Sequence, residues 1–314
     1  MSNKPKVYID GKEGTTGLQI YERLGGREDI ELLLIDEDKR KDTEERRKFL
    51  NAADLVFLCL PDGAAIEAVS LIENPNTRVI DASTAHRTNS DWTYGFAELL
   101  AGQRDKIAAA KRVANPGCHA TGFLASAAPL TALGVLPADY PVTCYSITGY
   151  SGGGKKMIAE FEREDRSVEL EAPAPYAIGL SHKHLPEMQK LAGLDRAPVF
   201  VPVLGDYYKG MATTVMLHNH LLKGAPSAQD IHGMLEKYYA GSTFVRVAPF
   251  GGESPRLHAN TMAGKDWLEL IVSGHAEQTI ITARFDNLGK GASGAAVQNM
   301  NIMLGFDETT GLNV

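Results

Sequence analysis

The sequence is short of cysteine, of long apolar runs and of clustered positive charge. Its three cysteines in 314 residues, Cys59, Cys118 and Cys144, are an odd number without framework spacing. That excludes a disulfide-stapled secreted domain and leads us to expect a reduced, cytoplasmic protein. No apolar stretch approaches the ~20 residues that cross a bilayer. Met1-Ser2-Asn3-Lys4-Pro5-Lys6 leads directly into an apolar strand with no signal-peptide pattern, so no membrane partner is expected. Net charge is −7 and the pI about 5.7. With no basic block, nucleic acid is not an expected partner either. Internal repeats and low-complexity tracts are also lacking. What is present, 44% hydrophobic and 23% charged residues, suffices for two domains with their own cores.

The first third alternates strands with helices. Lys6–Asp10, Ile30–Asp36, Leu55–Leu60 and Thr77–Ser83 read as buried strands, with Cys59 inside the third. Helices are expected after Gly17, over 42–53, over 62–73 and around 99–111. Arg112–Asn115 reads as the last strand. This pattern predicts a parallel, Rossmann-like α/β sheet. Between the first strand and first helix lies Gly11-Lys12-Glu13-Gly14-Thr15-Thr16-Gly17. Its glycines let a pyrophosphate approach the backbone at a helix N-terminus, so the loop is the expected dinucleotide site.

Past Gly134 the texture changes. Long, alternating, β-branched stretches at 142–150, 198–204, 211–222, 243–247, 267–275 and 279–286 surround two evident helices, 155–164 and 228–240. An α+β domain with a mostly antiparallel sheet is expected, Cys144 lying in its core. The small residues of Gly291–Leu304 suggest a closely packed terminal helix that returns to the first domain. The expected division is therefore 1–117 with 291–314 for the dinucleotide, and 118–290 for chemistry and oligomerisation.

Asn115-Pro116-Gly117-Cys118-His119 carries the chemistry. Pro116 and Gly117 force a turn, and the Ala- and Leu-rich run that follows, ending before Gly134, predicts a buried helix with Cys118 on its first turn. Unpaired N–H groups and the helix dipole there favour the thiolate, which is the nucleophilic form. Two further stretches join it. Gly149-Tyr150-Ser151-Gly152-Gly153-Gly154-Lys155 is a second glycine loop opening a helix, able to hold an anion on N–H groups and lysine or to serve as a flexible turn. Ser181-His182-Lys183-His184-Leu185-Pro186-Glu187 sets two imidazoles before a helix start, where one is suited to act as base for a thiol. His182/His184 and His218/His220 also have metal-pair spacing, but no carboxylate or cysteine has supporting spacing nearby, so no metal is expected.

Asn115-Pro-Gly-Cys-His-Ala-Thr, His182-Lys-His-Leu-Pro-Glu, Gly149-Tyr-Ser-Gly-Gly-Gly-Lys and Gly291-Ala-Ser-Gly-Ala-Ala-Val-Gln-Asn together resemble the shorter form of the N-acetyl-gamma-glutamyl-phosphate reductase family. This belongs to the aspartate-semialdehyde and glyceraldehyde-3-phosphate dehydrogenase superfamily. The motif order matches over essentially the whole chain. The resemblance implies NADPH-dependent reduction of N-acetyl-glutamyl 5-phosphate to the 5-semialdehyde, a step of arginine biosynthesis. Cys118 would form a thioester and His184 would be acid and base, in a homodimer or homotetramer.

His182 would orient substrate or itself be the base. Ser83, Arg87, Ser151 and Lys155 are the other candidate substrate contacts, and Arg87 reads equally as a phosphate fork or a surface arginine. Candidate cofactor contacts are Gly11, Gly14, Thr15, Thr16 and Gly17, then Asp36, Lys39 and Arg40 after the second strand, with Gly152, Gly153 and Asn287. Asp36 suits the ribose hydroxyls of NAD, and Lys39 with Arg40 the extra phosphate of NADP. The resemblance tips the choice to NADP(H). Aspartyl-phosphate reduction differs from this activity only in the acyl group, and a Cys118/His184 hydrolase would need no nucleotide loop.

Overall fold

The computed structural model describes residues 4–252 and 254–314. Met1–Asn3, part of the stretch read above for a signal-peptide pattern and of the expected 1–117 segment, lie outside them, as does Glu253. The chain divides into two compact units: residues 1–97, 102–116 and 292–312 form the first, and 98–101, 117–291 and 313–314 the second.

The first unit runs β1 (Lys6–Asp10), α1 (Thr15–Leu24), β2 (Glu31–Leu33), α2 (Thr43–Ala52), β3 (Leu55–Leu58), α3 (Asp62–Ser70), β4 (Arg78–Asp81), β5 (Thr93–Tyr94), α4 (Gln103–Ala109) and β6 (Arg112–Ala114). Its six strands lie in the order β2-β1-β3-β4-β6-β5, all pairings parallel. Side chains alternate between faces, as strand geometry demands. Val7, Ile9, Leu55, Phe57, Ile80 and Val113 pack on one side with Ile20 of α1 and Ile107 of α4. Tyr8, Val56, Leu58, Val79 and Ala114 pack on the other with Leu50 of α2 and Ala65 of α3. Both faces are thus covered, which explains why these strands read as continuous apolar runs.

The order reverses at β1, whose neighbours are β2 and β3. That reversal opens a crevice at the C-terminal ends of β1 and β3. β2 and β4 are shorter than their apolar stretches suggest, and Cys59 falls just beyond β3, its N–H donating to the Asp10 carbonyl at 2.8 Å.

The second unit runs α5 (Cys118–Ala132), β7 (Thr143–Gly149), α6 (Gly154–Phe161), β8 (Ala174–Pro175), α7 (Leu185–Leu191), β9 (Val199–Gly205), β10 (Met211–His218), α8 (Ala228–Tyr238), β11 (Val245–Val247), β12 (Leu268–Gly274) and β13 (Gln278–Phe285). Seven strands lie in the order β11-β12-β13-β10-β7-β9-β8, with antiparallel pairing except β11 to β12 and β7 to β9. α5 packs on β10 and β13, and Gly134, with φ +71°, follows it as the left-handed stop. β10 ends at His218, not at Leu222. Asn219 turns the chain there by donating its side-chain amide to the carbonyls of His275 and Ala276, so His220 lies past the strand and the two histidines do not share a strand face.

The chain then re-enters the first unit as α9 (Gly294–Leu304). Its Ala296, Val297 and Met300 complete the face that holds Ile20 and Ile107.

Candidate active site

In the first unit, the Gly11–Gly17 loop follows β1 at the crevice. Gly11 has φ +87°, and a Cβ there would meet the Cys59 carbonyl oxygen at 2.4 Å. A Cβ at Gly17 would meet the Gly11 oxygen at the same 2.4 Å. These two glycines are therefore dictated by the loop's own packing. Gly14 is different: its nearest neighbour would stand at 3.4 Å and its φ of −72° suits any residue. Gly14 precedes α1, which among the described residues has no side-chain cap and no acidic residue in its first turn. Thr15 Oγ1 is buried there with no hydrogen-bond partner among the described residues. An open helix start, an uncommitted hydroxyl and a glycine not required by packing fit a pyrophosphate. Thr16 lies on the same turn.

Asp36, Lys39 and Arg40 lie in the turn after β2, Lys39 within 3.6 Å of Asp36. Arg40 pairs with Glu37 and reaches 3.8 Å from Glu13 of the glycine loop, so Arg40 stands beside that loop.

At the end of β4, buried Asp81 accepts hydrogen bonds from the Ser83 N–H and hydroxyl, at 2.9 and 2.7 Å. His86 Nδ1 lies 2.6 Å from the same carboxylate, its ring stacked on Trp92 at 4.1 Å. Arg87 is buried, with Nε donating to the Asn115 carbonyl at 2.9 Å and Nη2 to the Ala82 carbonyl at 3.0 Å. It braces the turn that leads to the cysteine. Asn299 of α9 braces it too, donating to Asn115 Oδ1 at 3.1 Å and to the Gly95 carbonyl at 2.8 Å.

In the second unit, Cys118 is the first residue of α5, after Gly117 in extended conformation, and no side chain caps that helix among the described residues. A Cβ at Gly291 would stand 3.0 Å from Cys118 Cβ, so only glycine leaves the cysteine its space. Burial pushes the Cys59 and Cys144 thiols well up, and nearby Asp81 and Asp10 add to the rise at Cys59.

Three imidazoles cluster beside the helix start. The His182 and His184 rings are 4.7 Å apart edge-on, and His119 lies 5.3 and 5.6 Å from them. The His184 N–H donates to His182 Nδ1 at 3.1 Å. His119 is neutral: burial, then His182 and Lys183, pull its pKa down to about 3. Glu187, 2% exposed, joins His184 to the turn that precedes Cys118. Its Oε2 accepts from the Gly117 N–H at 3.2 Å, and its Oε1 is 4.0 Å from His184 Nε2.

The second glycine loop is tightly committed. The N–H groups of Gly149, Tyr150 and Ser151 donate to the carbonyls of Gly210, Tyr207 and Tyr208, and that of Gly154 to Ser151. Most of its backbone therefore folds the loop itself. Asn287 fixes it further: its Nδ2 donates to Ser151 Oγ at 3.0 Å and its Oδ1 accepts from the Gly210 N–H at 2.8 Å. A Cβ at Gly152 would stand 3.5 Å from Asn287 Nδ2. Ser151, Gly152 and Asn287 thus come together, with Gly153 in the same turn and Lys155 exposed on the first turn of α6.

Sequence reasoning had given no role to His119, Tyr176 or Glu187. The available signals were a histidine directly after the cysteine and a glutamate three residues after His184, on the next turn. Among the described residues no three His, Cys, Asp or Glu side chains form a metal-binding group, and no helix is long and apolar enough to cross a membrane.

Comparison with known proteins gives consistent likenesses. Residues 6–110 match the family model of the semialdehyde dehydrogenase NAD binding domain, and residues 118–287 that of the semialdehyde dehydrogenase dimerisation domain. The N-acetyl-gamma-glutamyl-phosphate reductase 2 of Nostoc sp. is 47% identical over 99% of this chain and 100% of its own length. The Brucella ovis N-acetyl-gamma-glutamyl-phosphate reductase is 50% identical over 96% and 99%. Among solved structures, Vibrio cholerae aspartate semialdehyde dehydrogenase II, in complex with ASA, matches with a TM-score of 0.73 at 18% identity, over 96% of this chain and 99% of that one.

Proposed function

The chain belongs to the N-acetyl-gamma-glutamyl-phosphate reductase family of semialdehyde dehydrogenases, and from that premise we propose that it reduces N-acetyl-glutamyl 5-phosphate to N-acetylglutamate 5-semialdehyde and phosphate. The observation that carries the reading is Cys118 at the open start of α5, with His184 nearby and Glu187 linking His184 to the Gly117 turn.

The Cys118 sulfur attacks the acyl carbon while His184 takes the thiol proton. A C–S bond forms, the C–O bond to phosphate breaks, and phosphate leaves a thioester. N–H groups in the first turn of α5 stabilise the oxyanion formed at each tetrahedral stage. A bound nicotinamide coenzyme supplies the hydride for the thioester carbon. As the resulting alkoxide collapses to the C=O bond, the C–S bond breaks, the proton on His184 returns to the departing Cys118 sulfur, and the aldehyde leaves.

His182 orients the substrate. Ser83, Arg87, Ser151 and Lys155 serve its acyl-phosphate end. The coenzyme lies on Gly11, Gly14, Thr15, Thr16 and Gly17, its further contacts being Asp36, Gly152, Gly153 and Asn287. Lys39 and Arg40, the latter set beside the loop through Glu13, favour NADP(H) over NAD.

Residues 1–117 and 291–314 form the dinucleotide-binding part, and 118–290 the catalytic part through which a cytoplasmic homodimer or homotetramer assembles. The test is hydride transfer from N-acetylglutamate semialdehyde and from aspartate semialdehyde, with phosphate omitted and then restored. Sustained NADPH formation only with the former, and only with phosphate, is expected. Preference for the aspartyl aldehyde would move the enzyme to the related reductase, and steady turnover without phosphate to the hydrolytic class.

A further inference from the structure

The scheme above leaves one buried polar chain unused. Thr213 and Ser146 are cross-strand partners on β10 and β7, and both are fully buried. Their hydroxyls are 2.8 Å apart. Ser146 Oγ is 2.8 Å from His119 Nδ1, and His119 Nε2 is 2.7 Å from the Tyr176 hydroxyl. Tyr176 continues β8, its N–H donating to the Pro202 carbonyl at 3.0 Å.

The direction of this chain follows from counting protons. Among the described residues Ser146 is the hydrogen-bond partner of the Thr213 hydroxyl, and a buried O–H that donates to nothing is disfavoured. Thr213 therefore donates to Ser146. The Ser146 proton goes to His119 Nδ1. A neutral imidazole has one N–H, which is then on Nε2 and donates to the Tyr176 oxygen. The proton of the Tyr176 hydroxyl is left pointing onward, out of the chain. Had the polarity been reversed, Tyr176 would donate inward and the Thr213 proton would be stranded.

We propose that Tyr176 is a further catalytic residue, its hydroxyl donating a hydrogen bond to the Cys118 thiolate, and that His119, Ser146 and Thr213 are positioning residues that fix the direction of that donation. His119 follows Cys118 on the first turn of α5, and the Tyr176 hydroxyl bound to its Nε2 lies within electrostatic reach of the Cys118 thiol. The electrostatics agree: burial first, and the Cys118 thiol second, push the Tyr176 phenol up, so at neutral pH the phenol keeps its proton and donates. The titratable groups that face it are His119, His182 and Cys118. None of these replaces a donor fixed by a buried chain of hydroxyls.

The inference rests on the reading of Cys118 as nucleophile. Its test is the pH profile of iodoacetamide alkylation of Cys118, followed by peptide mass in the intact enzyme. Tyr176→Phe is expected to move the midpoint upward by about one pH unit, a tenfold loss of rate at pH values below both midpoints, since one charge-assisted hydrogen bond is removed. Ser146→Ala, which frees His119 to reverse, is expected to move it in the same direction by less. The double variant is expected to behave as Tyr176→Phe alone. A wild-type midpoint in Tyr176→Phe, or full additivity in the double variant, overturns the proposal. If Tyr176→Phe does not fold, a wild-type midpoint in Ser146→Ala overturns it equally. Cys118→Ser separates the two levels: turnover in that variant would refute the nucleophile itself, whereas an inactive Cys118→Ser beside an unshifted Tyr176→Phe would refute only the role of the tyrosine.

Discussion

Replacing Glu187 by glutamine keeps its volume and removes its charge. Two of the carboxylate's contacts differ in kind. One is the bond from the Gly117 N–H at 3.2 Å, which exists before and during reaction and which the glutamine carbonyl still accepts. Its loss of charge weakens resting and reacting states alike and leaves the barrier little changed. The other is the approach of Oε1 to His184 Nε2 at 4.0 Å. That contact becomes an ion pair only when His184 holds the thiol proton, so it favours the reacting state.

Two unit charges at this distance interact by about 4 kcal/mol at an effective dielectric constant of about 20, which sets a ceiling. Allowing for the neutral amide dipole that takes over part of the interaction, about 1.5–3 kcal/mol of barrier is at stake, or roughly ten- to two-hundredfold in turnover. The assay is steady-state NADPH oxidation with the acyl phosphate, beside a thermal melt that monitors folding. kcat is expected to fall by that factor with KM nearly unchanged. A folded Glu187→Gln enzyme turning over within twofold of wild type would refute the pairing of Glu187 with His184 during chemistry.

Three further outcomes are expected. Iodoacetamide will modify Cys118 well before Cys59 or Cys144, whose thiols burial pushes up; equal labelling of the three would contradict this. Folded His119 has a pKa of about 3 against an ordinary 6.5, so the unfolded chain binds a proton that the native state refuses as pH falls from 6.5 toward 3. Its contribution to stability is complete above pH 6.5 and is lost below it by about 1.4 kcal/mol per pH unit, so urea unfolding of His119→Gln at pH 7, 6 and 5 is expected to show a shallower pH dependence than wild type, and an identical slope would refute the assignment. Lys39→Ala with Arg40→Ala is expected to raise the KM for NADPH severalfold and leave NADH unaffected; equal effects on both coenzymes would refute the phosphate contact.

Local signals sufficed where structure is local. The turn at Pro116-Gly117, the helix from Cys118 to the stop at Gly134, and the glycine loop after β1 are each written in consecutive residues. The alternation of β1, β3 and β4 with helices required only apolar runs. The rest depends on residues far apart in sequence. Glu187 looks like an ordinary helical glutamate until the fold brings it to Gly117, 70 positions away. Ser146 and Thr213 look like polar interruptions of apolar strands until the β7–β10 register pairs them. Arg87 read as a phosphate fork or a surface residue, and its carbonyl partner Asn115 becomes visible only once β4 and β6 lie side by side. β5 and β8, two residues each, are too short to carry a periodic signal.

The central claim is that the acyl group passes through the Cys118 sulfur. The most direct measurement mixes enzyme with N-acetyl-glutamyl 5-phosphate without coenzyme, quenches in acid within a turnover, and weighs the peptide containing Cys118. The account predicts an N-acetylglutamyl thioester on Cys118 with release of one equivalent of phosphate. An unmodified Cys118 peptide after phosphate release, or the acyl group on another residue, would contradict it.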